Sequence, residues 1–306
     1  MPPEKIPGSM QGVFPILVTP FDEQGRIDEE SLRRLIDFNI EAGVHGLGVA
    51  LGSEIFKLSE AERDEVTGIV VSQVRQRVPV VINTGAPGTD LAVQYSRRAQ
   101  ELGADALMVI PPNWMPASPP EVLEYYEAIS AAVQIPIFLQ DVPSAPIPVG
   151  LARQIAERCE QVRYIKVETV PITVKVADMV AQAGDKLTVF GGAGGGYFIE
   201  EMRRGSMGTM PFCSQPEAFV QVWNLVQSGD ETTARTLFDQ IIAPISRIAA
   251  QGAGIFYHVH KELLRRRGII ATNKVRSPAP PVEFMTQREL EKLIHDLYLV
   301  NALPSD

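Results

Sequence analysis

The chain has few cysteines, no surplus of positive charge and no long apolar run. Each lack removes a class of protein. Its 306 residues include only two cysteines, Cys159 and Cys213. Two thiols so far apart give neither a disulfide framework nor the close spacing of a metal site. A reducing compartment fits, and a cytoplasmic location is expected. Lys and Arg number 28 against 37 Asp and Glu, for a net charge of −9. That balance argues against nucleic acid or an anionic membrane as partner. An anionic substrate must then be held by local donors. No apolar stretch reaches the roughly 20 residues of a membrane helix. The opening M-P-P-E-K-I-P-G-S-M lacks the basic-then-apolar order of a secretory leader.

What the chain does have is apolar content and a regular alternation of elements. Hydrophobic residues make up 45%, enough for a large core. Short β-rich runs recur at Val13–Val18, Gly46–Ala50, Val78–Asn83, Ala106–Ile110, Ile135–Gln140, Tyr164–Glu168, Leu187–Phe190 and Gly208–Phe212. Amphipathic stretches such as Glu29–Ala42, Glu60–Gln76 and Thr89–Leu102 separate them. Eight strand-then-helix units predict a (β/α)8 barrel, a TIM barrel of the α/β class. A doubly wound sheet is the alternative. Its Gly-rich phosphate turn is missing after the first strand, which reads T-P-F-D-E-Q-G. Beyond Pro216 the pattern is helical, over Glu217–Gln227, Asp230–Gln251, Gly254–Arg267 and Thr286–Val300. The expected division is a barrel over residues 1–228 and a C-terminal helical extension, 229–306, packed on it.

The most conspicuous residue is Lys166, in Y-I-K-V-E-T. A lysine in a buried strand is desolvated, which favours the neutral, nucleophilic amine. Side chains alternate along a strand, so Lys166 and Glu168 share a face. Inward, they form a reactive pair at the strand's C-terminal end, where barrel sites lie. Outward, they are a solvated ion pair. Glu168 opposes the desolvation by favouring the ammonium form. In I-P-I-F-L-Q-D-V-P-S, Gln140 shares a face with Phe138 and offers hydrogen bonds but no acid or base. Asp141 should point the other way or cap the following loop. In V-A-L-G-S-E, Gly52 and Ser53 offer backbone N–H groups and a hydroxyl to an anion, although an ordinary turn explains them equally. The Gly191–Gly196 run, with Gly192, lets the backbone approach a ligand closely. His258 and His260 fall on different helix faces, which argues against a metal site. Trp114 is a candidate cover for the site or a packing residue.

These residues together resemble the dihydrodipicolinate synthase / N-acetylneuraminate lyase family of Schiff-base barrels, over about Gly12 to Val300. The matching stretches are G-V-F-P-I-L-V-T-P-F, G-S-E with L-S-E-A-E-R, G-A-D-A-L-M-V-I-P-P, D-V-P-S and Y-I-K-V-E-T. The resemblance implies that Lys166 forms a Schiff base with a 2-oxo acid. It also implies that the turn at Gly52 and Ser53, with the backbone near Met210, holds the carboxylate. No metal and no separate cofactor is expected, and a homo-oligomer, tetramer or dimer, is implied.

Several departures bear on function. Gln140 stands where the family usually has a proton-shuttling tyrosine. Leu51 and Gly52 replace two threonines of the synthases. Ala145 stands where they place an arginine for a second carboxylate, and the tyrosine they carry near Asn113 is missing. The pairing of Q-D-x-P with K-x-E-T is similar to the 2-keto-3-deoxy-pentonate dehydratases, especially the L-2-keto-3-deoxyarabonate branch. The Gly191–Gly196 run departs from that branch. Catalytic roles are therefore expected for Lys166, Glu168 and Gln140, and substrate contacts for Gly52, Ser53, Met210 and Gly192. The expected activity is dehydration of a 2-keto-3-deoxy sugar acid. Aldol cleavage or synthase-like condensation with pyruvate is the alternative, and a non-catalytic ligand-binding or regulatory barrel is a further one.

Overall fold

Strands buried on both faces need continuous apolar sequence rather than alternation, and the eight runs supply it. A computed structural model of the protein describes residues 9–115 and 117–299. The first eight residues, where no leader pattern was read, and Val300, the predicted end of the last helix, lie outside the described residues. The strands are β1 (Gly12–Val13), β2 (Leu47–Val49), β3 (Val80–Asn83), β4 (Ala106–Val109), β5 (Ile137–Asp141), β6 (Val162–Val167), β7 (Thr188–Gly191) and β8 (Gly208–Thr209). All are parallel, in the order β1-β8-β7-β6-β5-β4-β3-β2. Ile16 bridges both Gly48 and Phe212, which brings the two ends of the sheet together. The result is a (β/α)8 barrel.

The first and last strands are shorter than the sequence predicts. Pro15 and Pro211 explain this, because neither has an N–H for a ladder bond. Helices α1 (Glu29–Glu41), α2 (Glu60–Val74), α3 (Thr89–Glu101), α4 (Pro119–Ala132), α5 (Val149–Arg158), α6 (Ile172–Ala183), α7 (Phe198–Met202) and α8 (Pro216–Gln227) follow the strands in turn. A reciprocal capping pair, Ser59 with Glu62, starts α2, and at the start of α4 Glu121 accepts both the Ser118 N–H and its hydroxyl. The barrel interior is filled by Phe14, Ile16, Met108, Phe138, Tyr164 and Phe190, among others. Phe138 and Tyr164 stack there with ring centres 4.3 Å apart.

The extension contains α9 (Glu231–Leu237), α10 (Ala243–Ala249), α11 (Ile255–Arg266) and α12 (Phe284–Ile294). The single helix predicted over Asp230–Gln251 is divided by a π segment at Phe238–Ile242. Pro244 lacks the N–H that would reach the Gln240 carbonyl, and the Ala243 N–H turns instead to Phe238. The extension has its own core, including Ile245, Ile248, Val259, Leu263 and Leu290. It is fastened to the turn after β2. Tyr257 Oη donates to the Leu51 carbonyl at 2.7 Å. Lys261 Nζ lies 2.5 Å from Glu54 Oε1, with both side chains fully buried. Among the described residues, no helix is long and apolar enough to cross a membrane.

Candidate active site

A cavity of about 620 Å³ opens where the C-terminal ends of the strands meet the extension. Its floor comes from β5 and β6. Gln140 and Lys166 are register partners across these strands. The period-two pleat carries Lys166 and Glu168 to one face, and both line the cavity. Lys166 Nζ lies 3.1 Å from Glu168 Oε1. The lysine side chain is 6% exposed and the glutamate 16%. The outward reading of this pair is therefore excluded.

Glu168 is fixed from two further sides. Its Oε1 accepts the Ala193 N–H at 3.0 Å, and its Oε2 lies 3.4 Å from Gln140 Nε2. Gln140 Oε1 in turn accepts from Asn83 Nδ2 at 2.8 Å. Asn83, at the end of β3, was missed from sequence, although the same strand-end reasoning applies to it. Asp141 points away, as alternation predicts. It accepts the Ile147 N–H at 2.8 Å and the Thr169 N–H at 3.2 Å, and pairs with Lys175 at 2.6 Å.

Two consecutive glycines let the site pack. A Cβ on Gly192 would stand 2.3 Å from Glu168 Cγ and 2.8 Å from Lys166 Cε. Gly192 thus lies against the lysine–glutamate pair. A Cβ on Gly191 would stand 1.7 Å from Glu201 Oε2. Glu201 is fully buried, and neither carboxyl oxygen has a hydrogen-bond partner among the described residues. Burial pushes its carboxyl up to about 8, and the charges of Glu168 and Glu200 push the same way against Lys166. It is a neutral acid at pH 7. Sequence pattern gave no sign of it, because α7 is too short to show a period.

The remaining predicted contacts separate. Gly52 lines the cavity, in a 3-10 turn at Leu51–Ser53. A turn of this kind leaves its first N–H groups, here those of Leu51 and Gly52, without partners inside the turn. The Ser53 N–H is bonded to Ala50 O at 2.8 Å. Its hydroxyl donates to the Leu17 carbonyl and accepts the Ala50 N–H. Ser53 is buried and does not line the cavity. The sequence-based reading of its hydroxyl as an anion donor is thereby corrected: the hydroxyl shapes the turn. Met210 lines the cavity, and its N–H is bonded to Gly191 O at 3.1 Å. That N–H is not free for a carboxylate, which corrects the expectation for the backbone there. Trp114 is 85% exposed and lines no part of the cavity, so the cover reading is also corrected.

The extension supplies a wall that the sequence did not reveal. Ser246, Ala249, Ala250, Ala253, Phe256 and His260 all face the cavity. His260 stacks on Phe212 at 4.1 Å, and its Nδ1 lies 2.7 Å from Ser214 Oγ. Burial lowers its imidazole to about 3, so it is uncharged. His258 is not part of the lining. No group of three His, Cys, Asp or Glu among the described residues could hold a metal ion. Among the described residues, Lys166 and Glu168 are the only Lys, Arg, Asp or Glu in the lining. An amine beside a carboxylate is suited to addition to a carbonyl with local proton transfer.

Comparison with known proteins points to one family. The profile of the dihydrodipicolinate synthetase family matches residues 9–297. An L-2-keto-3-deoxyarabonate dehydratase of Azospirillum brasilense is 31% identical, over 92% of this chain and 92% of its own. A 4-hydroxy-tetrahydrodipicolinate synthase of Syntrophobacter fumaroxidans is 30% identical, over 89% and 93%. The crystal structure of a dihydrodipicolinate synthase from Rhodopseudomonas palustris superposes with a TM-score of 0.86 at 28% identity, covering 94% of this chain and 97% of that one.

Proposed function

Because this chain belongs to the dihydrodipicolinate synthetase family, whose members are lyases, we propose that it is a Schiff-base lyase that dehydrates a 2-keto-3-deoxy sugar acid. The observation that carries the reading is the Lys166–Glu168 pair, 3.1 Å apart on the cavity floor. The Lys166 amine, having passed a proton on, adds to the C2 ketone, and loss of water gives an iminium. The iminium acts as an electron sink and acidifies C3. A base takes one C3 proton, and the resulting enamine expels the C4 hydroxyl as water. Loss of a C5 proton and return of a proton to C3 turn the C5 hydroxyl into an enol and then an aldehyde, and hydrolysis of the iminium frees the semialdehyde and the lysine. Glu168 is the group placed to accept and return protons, an effect worth about 10²- to 10⁴-fold. Gln140, held by Asn83 and facing Glu168, orients the substrate. The free N–H groups at Leu51 and Gly52 receive the C1 carboxylate.

Dehydration is favoured over aldol cleavage by two observations. Gln140 cannot deprotonate a C4 hydroxyl, the step that cleavage requires. One of the relatives named above is an L-2-keto-3-deoxyarabonate dehydratase. The test is to incubate the protein with pyruvate and with 2-keto-3-deoxypentonates, add borohydride, and weigh it. A covalent adduct is expected, and it should vanish in Lys166→Ala. An adduct that survives in that variant, or no adduct with any 2-oxo acid, rules the reading out. A semialdehyde product indicates dehydration, and released pyruvate indicates cleavage.

A further inference from the structure

The polar side chains of the lining are Gln140, Ser144, Lys166, Glu168, Ser246 and His260. Those on the floor are committed to one another or to β3 and β7. Glu168 holds Lys166 and accepts the Ala193 N–H, while Gln140 bonds Asn83 and faces Glu168. Ser144 stands exposed on the rim. The two on the extension keep free atoms. His260 Nδ1 is taken by Ser214 Oγ at 2.7 Å, and the ring is steadied by its stack on Phe212. Among the described residues, its Nε2 has no hydrogen-bond partner, and neither has Ser246 Oγ. His258 Nε2 is sealed in without a partner, whereas these two atoms keep access to the cavity. Ser246 is on α10 and His260 on α11, and the two helices pack together through Ile245, Val259 and Leu263. Both groups therefore belong to one rigid wall.

The two groups share a chemical property. A serine hydroxyl donates and accepts, and a neutral imidazole nitrogen does one or the other according to its tautomer. Burial keeps His260 uncharged. A hydroxyl on a ligand also donates and accepts, so it satisfies Nε2 in either tautomer and Ser246 in either orientation. A carboxylate only accepts, and a methyl group does neither. With C1 and C2 of a 2-keto-3-deoxypentonate on the floor and the C4 hydroxyl departing, the C5 hydroxyl is the polar group left for the wall.

We propose that Ser246 and His260 bind the hydroxylated tail of the substrate and select acids with a C5 hydroxyl over those that lack it. The inference rests on the reading of Lys166 as the group that fixes C2. It adds to that reading the residues that recognise the far end. Such a site discriminates because a ligand without the hydroxyl leaves its polar atoms unpaired.

The test uses Lys166→Ala protein, in which the ligand is not consumed. Calorimetry compares a 2-keto-3-deoxypentonate with its 5-deoxy analogue, 4-hydroxy-2-oxopentanoate, of the same C4 configuration. The analogue should bind about tenfold more weakly, the loss expected for neutral hydrogen bonds. Adding His260→Phe, which keeps a ring on Phe212, or Ser246→Ala should bring the ratio down to about threefold. A starting ratio below threefold, or one that neither substitution lowers, overturns the proposal, and a fall in either variant supports it. If His260→Phe does not fold, Ser246→Ala alone decides. The Schiff-base reading is judged separately, by borohydride trapping of the parent protein with pyruvate, which has no hydroxyl to lose. If trapping fails, that reading falls, and the binding ratios still judge Ser246 and His260.

Discussion

Lys261–Glu54 and Lys166–Glu168 are both largely buried lysine–glutamate pairs, and they differ in how completely their polar atoms are matched. Lys261 and Glu54 are both fully buried, 2.5 Å apart. Glu54 also takes Lys57 at 2.9 Å and the Arg276 N–H at 3.1 Å. Lys261 also donates to the Lys274 carbonyl at 2.8 Å and lies over the Phe21 ring. Burial lowers Lys261 to about 8, while Glu54 acts in the opposite direction. Lys166 and Glu168, by contrast, line an open cavity. The first pair is saturated and closed, so it fastens the extension to the barrel. The second pair leaves room for a carbonyl to reach the amine. The same two residue types thus serve structure or chemistry according to access and to how many partners surround them.

Exchanging the roles experimentally should separate the pairs. Lys166→Ala is expected to lower kcat by on the order of 10⁴ to 10⁶, as losses of a covalent nucleophile do, while the denaturation midpoint moves little. A midpoint that falls as far as in Lys261→Met would erase the distinction.

Glu201 extends the comparison to a carboxyl with no hydrogen-bond partner among the described residues. Its folded value of about 8 lies above the ordinary 4.5. The folded state therefore keeps a proton that the unfolded chain releases between these values. The stability this contributes is complete below pH 4.5 and is lost as pH rises through 8. Glu201→Gln removes that loss. Its stability relative to the parent should climb between pH 5 and 8, by on the order of 5 kcal/mol in total. Urea midpoints measured across that range decide it, and a flat difference would show that Glu201 is ionised in the folded protein.

Lys261→Met breaks the saturated pair and leaves Glu54 with Lys57 and the Arg276 N–H. The expected cost is about 3 kcal/mol, read from the urea midpoint at pH 7. The folded fraction should still form the borohydride adduct. If the adduct disappears from protein that remains folded, Lys261 belongs to the chemistry as well.

The smallest effect is expected at Ser53. Removing the hydroxyl that ties Leu17 to Ala50 should cost about 1–2 kcal/mol with little change in KM. A large rise in KM would mean that the hydroxyl does reach the substrate.

Much of the fold was legible because it follows from local periods. The apolar runs marked all eight strands, and the three helices read between them, over Glu29–Ala42, Glu60–Gln76 and Thr89–Leu102, lie close to their observed places. The misses occurred where one residue overrode a period. Pro15 and Pro211 shortened the outer strands, and Pro244 divided a helix. At the site, the pleat alone placed Lys166 and Glu168 on one face and Asp141 on another. It gave no view of Glu201 or of the alanine wall.

The sequence by itself determined that a lysine and a glutamate would share one side of the sixth strand, since that depends only on a backbone period of two. Only the tertiary structure decided that this side is the open one. It also decided that Lys261, 207 residues from Glu54, would find that partner and be sealed with it. Burial and hydrogen-bond saturation are set by distant segments packing together, and no local pattern encodes which segments those will be.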